Sequence, residues 1–187
     1  IERLTKGKVG AEEKDQLKVA EAALAANDFA GAAELFAQVL AHDSTNIAAL
    51  AGLSCCYVGT GALDKAKQTL AMVPEAKHGD AAVAAARAAI ELAEQSKSLG
   101  PISELEQKVA ANPADHQARF DLALALNAKG KGKRADALNH LIEIVKRDRK
   151  WNEDGARKQL VQLFDAWGPA DEATVDGRKR LSSILFA

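Results

Sequence analysis

Aromatic side chains make up only 4% of the 187 residues. Nucleic-acid binding by base stacking needs aromatic platforms, and this chain has almost none to offer. Cysteine is scarcer still, with Cys55 and Cys56 alone and adjacent. A structural metal site or a thiol redox motif needs spaced cysteines. Neighbours on a helix point about 100° apart and cannot bridge without strain. The two read as small buried thiols of a reducing, cytosolic compartment. His42, His78, His116 and His140 are too scattered to pair as ligands, so no metal and no cofactor is expected. Gly130-Lys131-Gly132-Lys133 lacks both the spacing and the preceding strand of a phosphate loop. No nucleophile motif or carboxylate pair stands out, and an enzyme is not expected. Long apolar runs are missing too, so no membrane span is read, nor a leader of basic, apolar and small residues. The chain opens on Ile1 rather than Met, which suggests a piece of something longer.

The chain does contain a repeat. Leu53, Tyr57, Gly61, Leu63, Ala66 and Leu70 in 47–80 stand one 34-residue period after Val19, Ala23, Asn27, Phe29, Ala32 and Phe36 in 13–46, with Leu50 and Leu40 filling further slots of the same frame. The slots are similar to those of a tetratricopeptide unit, a helix hairpin that cannot bury its own apolar face and must stack on neighbours. The fold class expected is therefore all-α: a tetratricopeptide-repeat solenoid of about four helix hairpins with a C-terminal capping pair. Hydrophobic residues reach 48%, many of them alanine, which favours helix and close stacking.

Residues 1–11 are charged and non-periodic, and read as a linker; the repeat domain is 12–187. Helices are expected at Glu12–Ala26, Phe29–His42, Ile47–Thr60 and Leu63–Met72, with Asn27-Asp28 and Gly59-Thr60-Gly61 as turns. A third hairpin covers about 82–115, with Pro101 in the first turn of its second helix. The fourth, over Asp115–Arg149, carries a turn at 130–133 longer than the repeat frame allows. Glu153–Trp167 and Asp171–Phe186 read as the cap, separated by Gly168-Pro169.

Net charge is −1, unevenly spread: residues 1–115 hold 11 basic and 16 acidic groups, residues 116–187 hold 14 and 10. The basic clusters at 129–134, 146–150 and 178–180 read as solvated faces and loops rather than a nucleic-acid surface.

Function should lie on the concave side of the stack. The first-helix positions that face it include Leu17, Ala51, Cys55, Val83, Ile90, Phe120 and Leu124. This lining is apolar. It suits greasy protein segments if open, and packs on itself if the superhelix is tight.

A family resemblance emerges toward the C-terminus. Ala118-Arg119-Phe120-Asp121-Leu122-Ala123, Arg147-Asp148-Arg149-Lys150-Trp151-Asn152, Arg157-Lys158-Gln159-Leu160, Trp167-Gly168-Pro169 and Arg180-Leu181-Ser182-Ser183-Ile184-Leu185-Phe186 together resemble the C-terminal region of bacterial thioredoxin-like co-chaperones of the YbbN/CnoX (chaperedoxin) type. The resemblance implies a missing N-terminal, thioredoxin-like domain ahead of the 1–11 linker. It also implies a cytoplasmic, ATP-independent holdase that binds unfolded clients and hands them to the GroEL chaperonin or the DnaK system. The partners expected are thus proteins, with neither nucleic acid nor membrane. Arg178, Lys179, Arg180, Leu181, Ile184, Leu185 and Phe186 then form the expected chaperonin-docking element. The alternative is a tetratricopeptide scaffold for one specific protein or peptide, without holdase activity.

Overall fold

The computed structural model describes the backbone of residues 2–186 and the side chains of 14–186. Among the described residues there are ten α-helices and no strand. They are α1 (Glu2–Ala25), α2 (Phe29–His42), α3 (Ile47–Gly59), α4 (Leu63–Ala71), α5 (Ala81–Ser96), α6 (Ile102–Ala111), α7 (His116–Asn127), α8 (Arg134–Arg147), α9 (Trp151–Trp167) and α10 (Glu172–Leu185). Helix α1 begins at Glu2, ahead of the expected start at Glu12. The linker read over 1–11 falls on side chains outside the described ones. Pro101 is the residue before α6 rather than inside its first turn.

Helix starts follow local chemistry. The side chains of Asp28, Asn46, Asp115 and Asp171 accept hydrogen bonds from Gly31, Ala49, Ala118 and Ala173 N–H groups at 2.9–3.0 Å. Each satisfies a first-turn donor that has no partner within the helix. Gly168, at φ 87°, ends α9 in a conformation that favours glycine.

The chain forms two compact units, Ile1–Ile90 and Glu91–Ala187. In the first, α1 to α4 are two hairpins. Ala20, Ala32, Phe36, Val39, Ala49 and Cys56 form one core cluster, with Leu53 packed against it. Leu50, Ala51, Ala66, Leu70, Val83, Ala86 and Ile90 form a second. Repeat spacing dictates these contacts. Ala32 and Ala66, fully buried, stand where the two helices of a hairpin cross. At the second crossing the buried Ser54 hydroxyl donates to the Ala66 carbonyl at 2.9 Å, so the one polar group there is satisfied. The Phe36 ring lies against Gly52 of the next hairpin, where even a Cβ would stand 2.3 Å from it.

In the second unit one core runs through α5 to α10: Leu92, Leu105, Leu122, Ala123, Ala137, Leu138, Leu141, Leu160, Leu163, Phe164 and Leu181 among others. Ala123 and Ala137, both fully buried, occupy the crossing slots of α7 and α8. The long turn between them contains a 3₁₀ turn at Lys131–Lys133. Helix α9 departs from expectation at its start. Asn152, Glu153 and Asp154 have φ of 48°, 54° and 64°, a left-handed turn joined onto the helix. That region costs an L-residue roughly 1–2 kcal/mol, less for Asn and Asp.

Candidate functional site

The seven expected groove residues divide sharply. Ala51, Val83, Ile90 and Leu124 are buried in the cores of their units. Of the two arrangements left open for this lining, these four take the packed one: they meet their own neighbours rather than face water. Leu17, Cys55 and Phe120 are half-buried. Phe120 is further covered by the Trp151 ring at 5.3 Å, and Trp151 makes an edge contact with His116 at 6.2 Å.

The cysteines match the reading of inert thiols. Both are free. Burial, reinforced by Cys56, pushes the Cys55 thiol up to about 12, and burial pushes Cys56 up to about 11. Although Cys55 as a residue is only half-buried, its thiol is desolvated, and both stay protonated near neutral pH. His140 is half-buried and accepts at Nδ1 from Arg119 Nη1 at 3.5 Å; burial and that guanidinium lower its pKa. Among the described residues no group of three His, Cys, Asp or Glu side chains is placed to hold a metal. Among the described residues no helix is long and apolar enough to cross a membrane.

Much of the basic charge is already engaged. Lys133 pairs with Asp136 at 3.0 Å and Arg147 with Glu143 at 2.7 Å. Arg134 binds Asp171 at 2.6 Å in a largely buried pair and lies 5.6 Å over the Trp167 ring, whose Nε1 donates to Asn127 Oδ1 at 2.8 Å. These contacts tie the junction of α9 and α10 to the ends of α7 and α8.

On that base α9 and α10 present the site. Gly177 permits their close approach: a Cβ there would meet Phe164 at 2.5 Å and Leu138 at 2.8 Å. Between the helices lies a shallow cavity of about 260 Å³, lined chiefly by Val161, Phe164, Arg178, Leu181, Leu185 and Phe186. Phe186 is 87% exposed and Val161 is 45% exposed. The Arg178 guanidinium sits 5.9 Å over the Phe164 ring, holding a cation at the rim. Capping elements of repeat arrays ordinarily turn a polar face outward; α10 does so with Asp176, Arg178, Lys179, Ser182 and Ser183, and Val161, Val175 and Phe186 are the large apolar side chains exposed on the pair.

The expected docking residues are only partly brought together here. Arg178, Leu181, Leu185 and Phe186 line the cavity, and Lys179 is exposed beside it. Leu181 is a buried floor rather than an accessible contact. Ile184, expected as a docking residue, is half-buried and packs against the core of the second unit instead. Arg180 is spent on Asn139 at 2.8 Å and Asp176 at 3.1 Å. Val161 and Phe164 were missed by sequence reading. Val161 falls off the apolar stripe of α9, and Phe164 sits on it as a buried core residue, so spacing alone does not show that the two meet at one cavity.

Two family models, both described as tetratricopeptide repeat, match residues 23–90 and 95–186. An uncharacterized Haemophilus influenzae protein is 27% identical over 130 residues, covering 70% of this chain. The match spans 58% of that relative's length. A domain of a Vibrio parahaemolyticus protein of unknown function aligns over 91% of this chain and 98% of its own, at 22% identity and a TM-score of 0.43. The repeat slots, the all-helical hairpins and the two family matches agree, and the chain is a member of the tetratricopeptide-repeat family.

Proposed function

We propose that this chain is the client- and chaperone-binding module of a cytosolic co-chaperone, and that the α9–α10 face is where another chaperone docks. Tetratricopeptide repeats are protein-binding scaffolds, so the partner class is protein. The observation that carries the finer reading is the apolar cavity at the end of the second unit, rimmed by Arg178 and capped by the exposed Phe186. The C-terminal resemblance to YbbN/CnoX co-chaperones supplies GroEL as the partner to test, with the DnaK system second. Removal of residues 178–187 should abolish GroEL binding, with the melting temperature measured in parallel because α10 also closes the core. A folded truncation that binds GroEL with unchanged affinity refutes the assignment.

The alternative, a scaffold for one defined partner, draws support from the burial of Ala51, Val83, Ile90 and Leu124, which leaves little open apolar lining for promiscuous holding. Suppression of aggregation separates the two. A holdase slows aggregation of several unrelated unfolding proteins at stoichiometric ratios, and a dedicated scaffold slows none.

A further inference from the structure

Helix α7 carries an arginine that is half-buried with no ion-pair partner among the described residues. Arg119 Nη2 donates to the Pro113 carbonyl at 2.8 Å, and Nη1 stands 3.5 Å from His140 Nδ1. Its Nε is buried with no partner. Glu143 feels the charge, but that carboxylate is bonded to Arg147 at 2.7 Å. A guanidinium has only donors. The ring nitrogen facing it is therefore the lone-pair one, and neutral His140 holds its proton on Nε2. One side chain thus ties the turn between α6 and α7 to α8, and the tie requires an uncharged histidine. The turn is otherwise held locally. Asn112, Pro113 and Ala114 are exposed, and Pro113 has no N–H to give. Ala114 N–H donates to Asn112 Oδ1 at 3.2 Å, and Asp115 N–H to the Asn112 carbonyl at 3.0 Å.

Among the described residues the charges acting on His140 are Arg119 from α7, Asp136 from its own helix and Glu106 from α6. From α10, Arg180 reaches the adjacent Asn139 and is engaged there and by Asp176. Burial and then Arg119 hold the imidazole below the ordinary histidine range, while the two carboxylates pull it the other way. The neutral ring therefore prevails at neutral pH. Once charged, it has no lone pair for Arg119, stands as a second cation beside it and is drawn to the two carboxylates. Asp136 is free to turn to it, since its pair with Lys133 at 3.0 Å is about half-exposed, and exposed pairs contribute little.

We propose that His140 and Arg119 form a proton-operated latch: with His140 neutral, Arg119 holds the Pro113 carbonyl, and protonation releases the α6–α7 turn and loosens the first turns of α7. His116 and Phe120, on those turns, pack against Trp151, so the released segment carries part of this aromatic cluster. The latch gives a protein-binding scaffold a response to acid, which the docking role does not include.

The test combines imidazole titration by NMR with amide hydrogen exchange, expressed as protection factors, on the full 187-residue chain. Both run from about pH 7.5 to about pH 5, across the histidine range. In the wild type the Asp115, Ala118 and Arg119 amides should lose protection as pH falls through the His140 midpoint, while those of α3 keep theirs. Arg119→Met should raise that midpoint and leave the same amides poorly protected at both ends of the range. The two readouts are bound together: wild-type protection should fall about tenfold for each pH unit by which Arg119→Met raises the midpoint. His140→Asn, whose amide oxygen stands near the Nδ1 position and does not titrate, should keep the turn protected throughout. Wild-type protection of these amides that is flat with pH overturns the proposal. So does a pH dependence that survives in His140→Asn, which places it on another group such as His116. An unchanged His140 midpoint in Arg119→Met overturns it as well. Should Arg119→Met fail to fold, the wild type and His140→Asn still decide. Neither GroEL nor an unfolded client enters the measurement, so its outcome is separate from that of the docking role.

Discussion

One added methyl group should test the stacking of the first two hairpins. At Gly52 two effects oppose. Alanine is favoured over glycine inside a helix by about 1 kcal/mol. The new Cβ, however, would stand 2.3 Å from Cζ and 2.6 Å from both Cε atoms of Phe36. Carbon contacts are optimal near 3.5–4.0 Å, so the ring must retreat by more than an ångström. Phe36 is 1% exposed and embedded in a core with Ala20, Ala32, Val39, Ala49 and Cys56. Overpacking of this kind costs roughly 1–3 kcal/mol, so the clash outweighs the propensity gain. Gly52→Ala should therefore lower the melting temperature, followed by circular dichroism at 222 nm, by several degrees on the scale of about 2–4 °C per kcal/mol. Phe36→Leu in the same chain shortens the obstructing ring. The double variant should lose less than the two single losses added, the signature of a direct contact. A Gly52→Ala protein that melts higher than wild type, or strictly additive losses, would refute the packing described.

Further outcomes follow from the other contacts. Ala66→Leu overfills a fully buried crossing and displaces the Ser54 hydrogen bond, so its melting temperature should fall clearly; an unchanged value means the repeat register is wrong. Ile90→Ser should destabilise the first unit rather than merely weaken client holding, because Ile90 is core; a variant of native stability contradicts its burial. Cys55→Ser/Cys56→Ser should leave protein binding largely intact. In the wild type both thiols have folded-state pKa values above the usual 9, so their contribution to stability is intact below pH 9 and is lost as pH rises toward 11–12. The serine variant should lose less stability over that window, and identical alkaline unfolding curves would count against it. His140 is shifted the other way: its stabilising contribution is present above about pH 6.5 and fades as pH falls, since protonation places a second cation beside Arg119. Chemical denaturation of His140→Gln should show a shallower loss of stability below pH 6.5, and a loss as steep as the wild type's would exclude that histidine.

The repeat was legible because every hairpin must solve the same packing problem. Ala32 and Ala66 can be read from spacing alone, since only a small residue fits where helices cross. The C-terminal pair was legible differently, as a cap that departs from the repeat frame, from the helical spacing of its apolar residues and the Gly168-Pro169 break between its helices. The groove was not. Whether Val83 or Ile90 is covered depends on residues brought against it by the fold, and apolar periodicity reads the same for an open face and a closed one. Arg180 illustrates the limit from the polar side. A run of three cations suggests a free patch, but Asn139 lies a whole hairpin earlier in sequence and takes that arginine's hydrogen bond. The left-handed turn at Asn152, Glu153 and Asp154 left one trace, two residue types that tolerate positive φ, too common in loops to identify it beforehand.

Phe186→Asp examines the docking face most directly, because it changes one exposed side chain and nothing in the core. The measurement is the equilibrium affinity of wild type and variant for immobilised GroEL, at equal salt and at protein concentrations where both are monomeric. Burying a phenylalanine contributes roughly 1.5–3 kcal/mol, and 1.4 kcal/mol corresponds to about tenfold in affinity. The account predicts a loss of about tenfold or more with an unchanged melting temperature. Equal affinity of the two proteins, or no binding by the wild type, would contradict it.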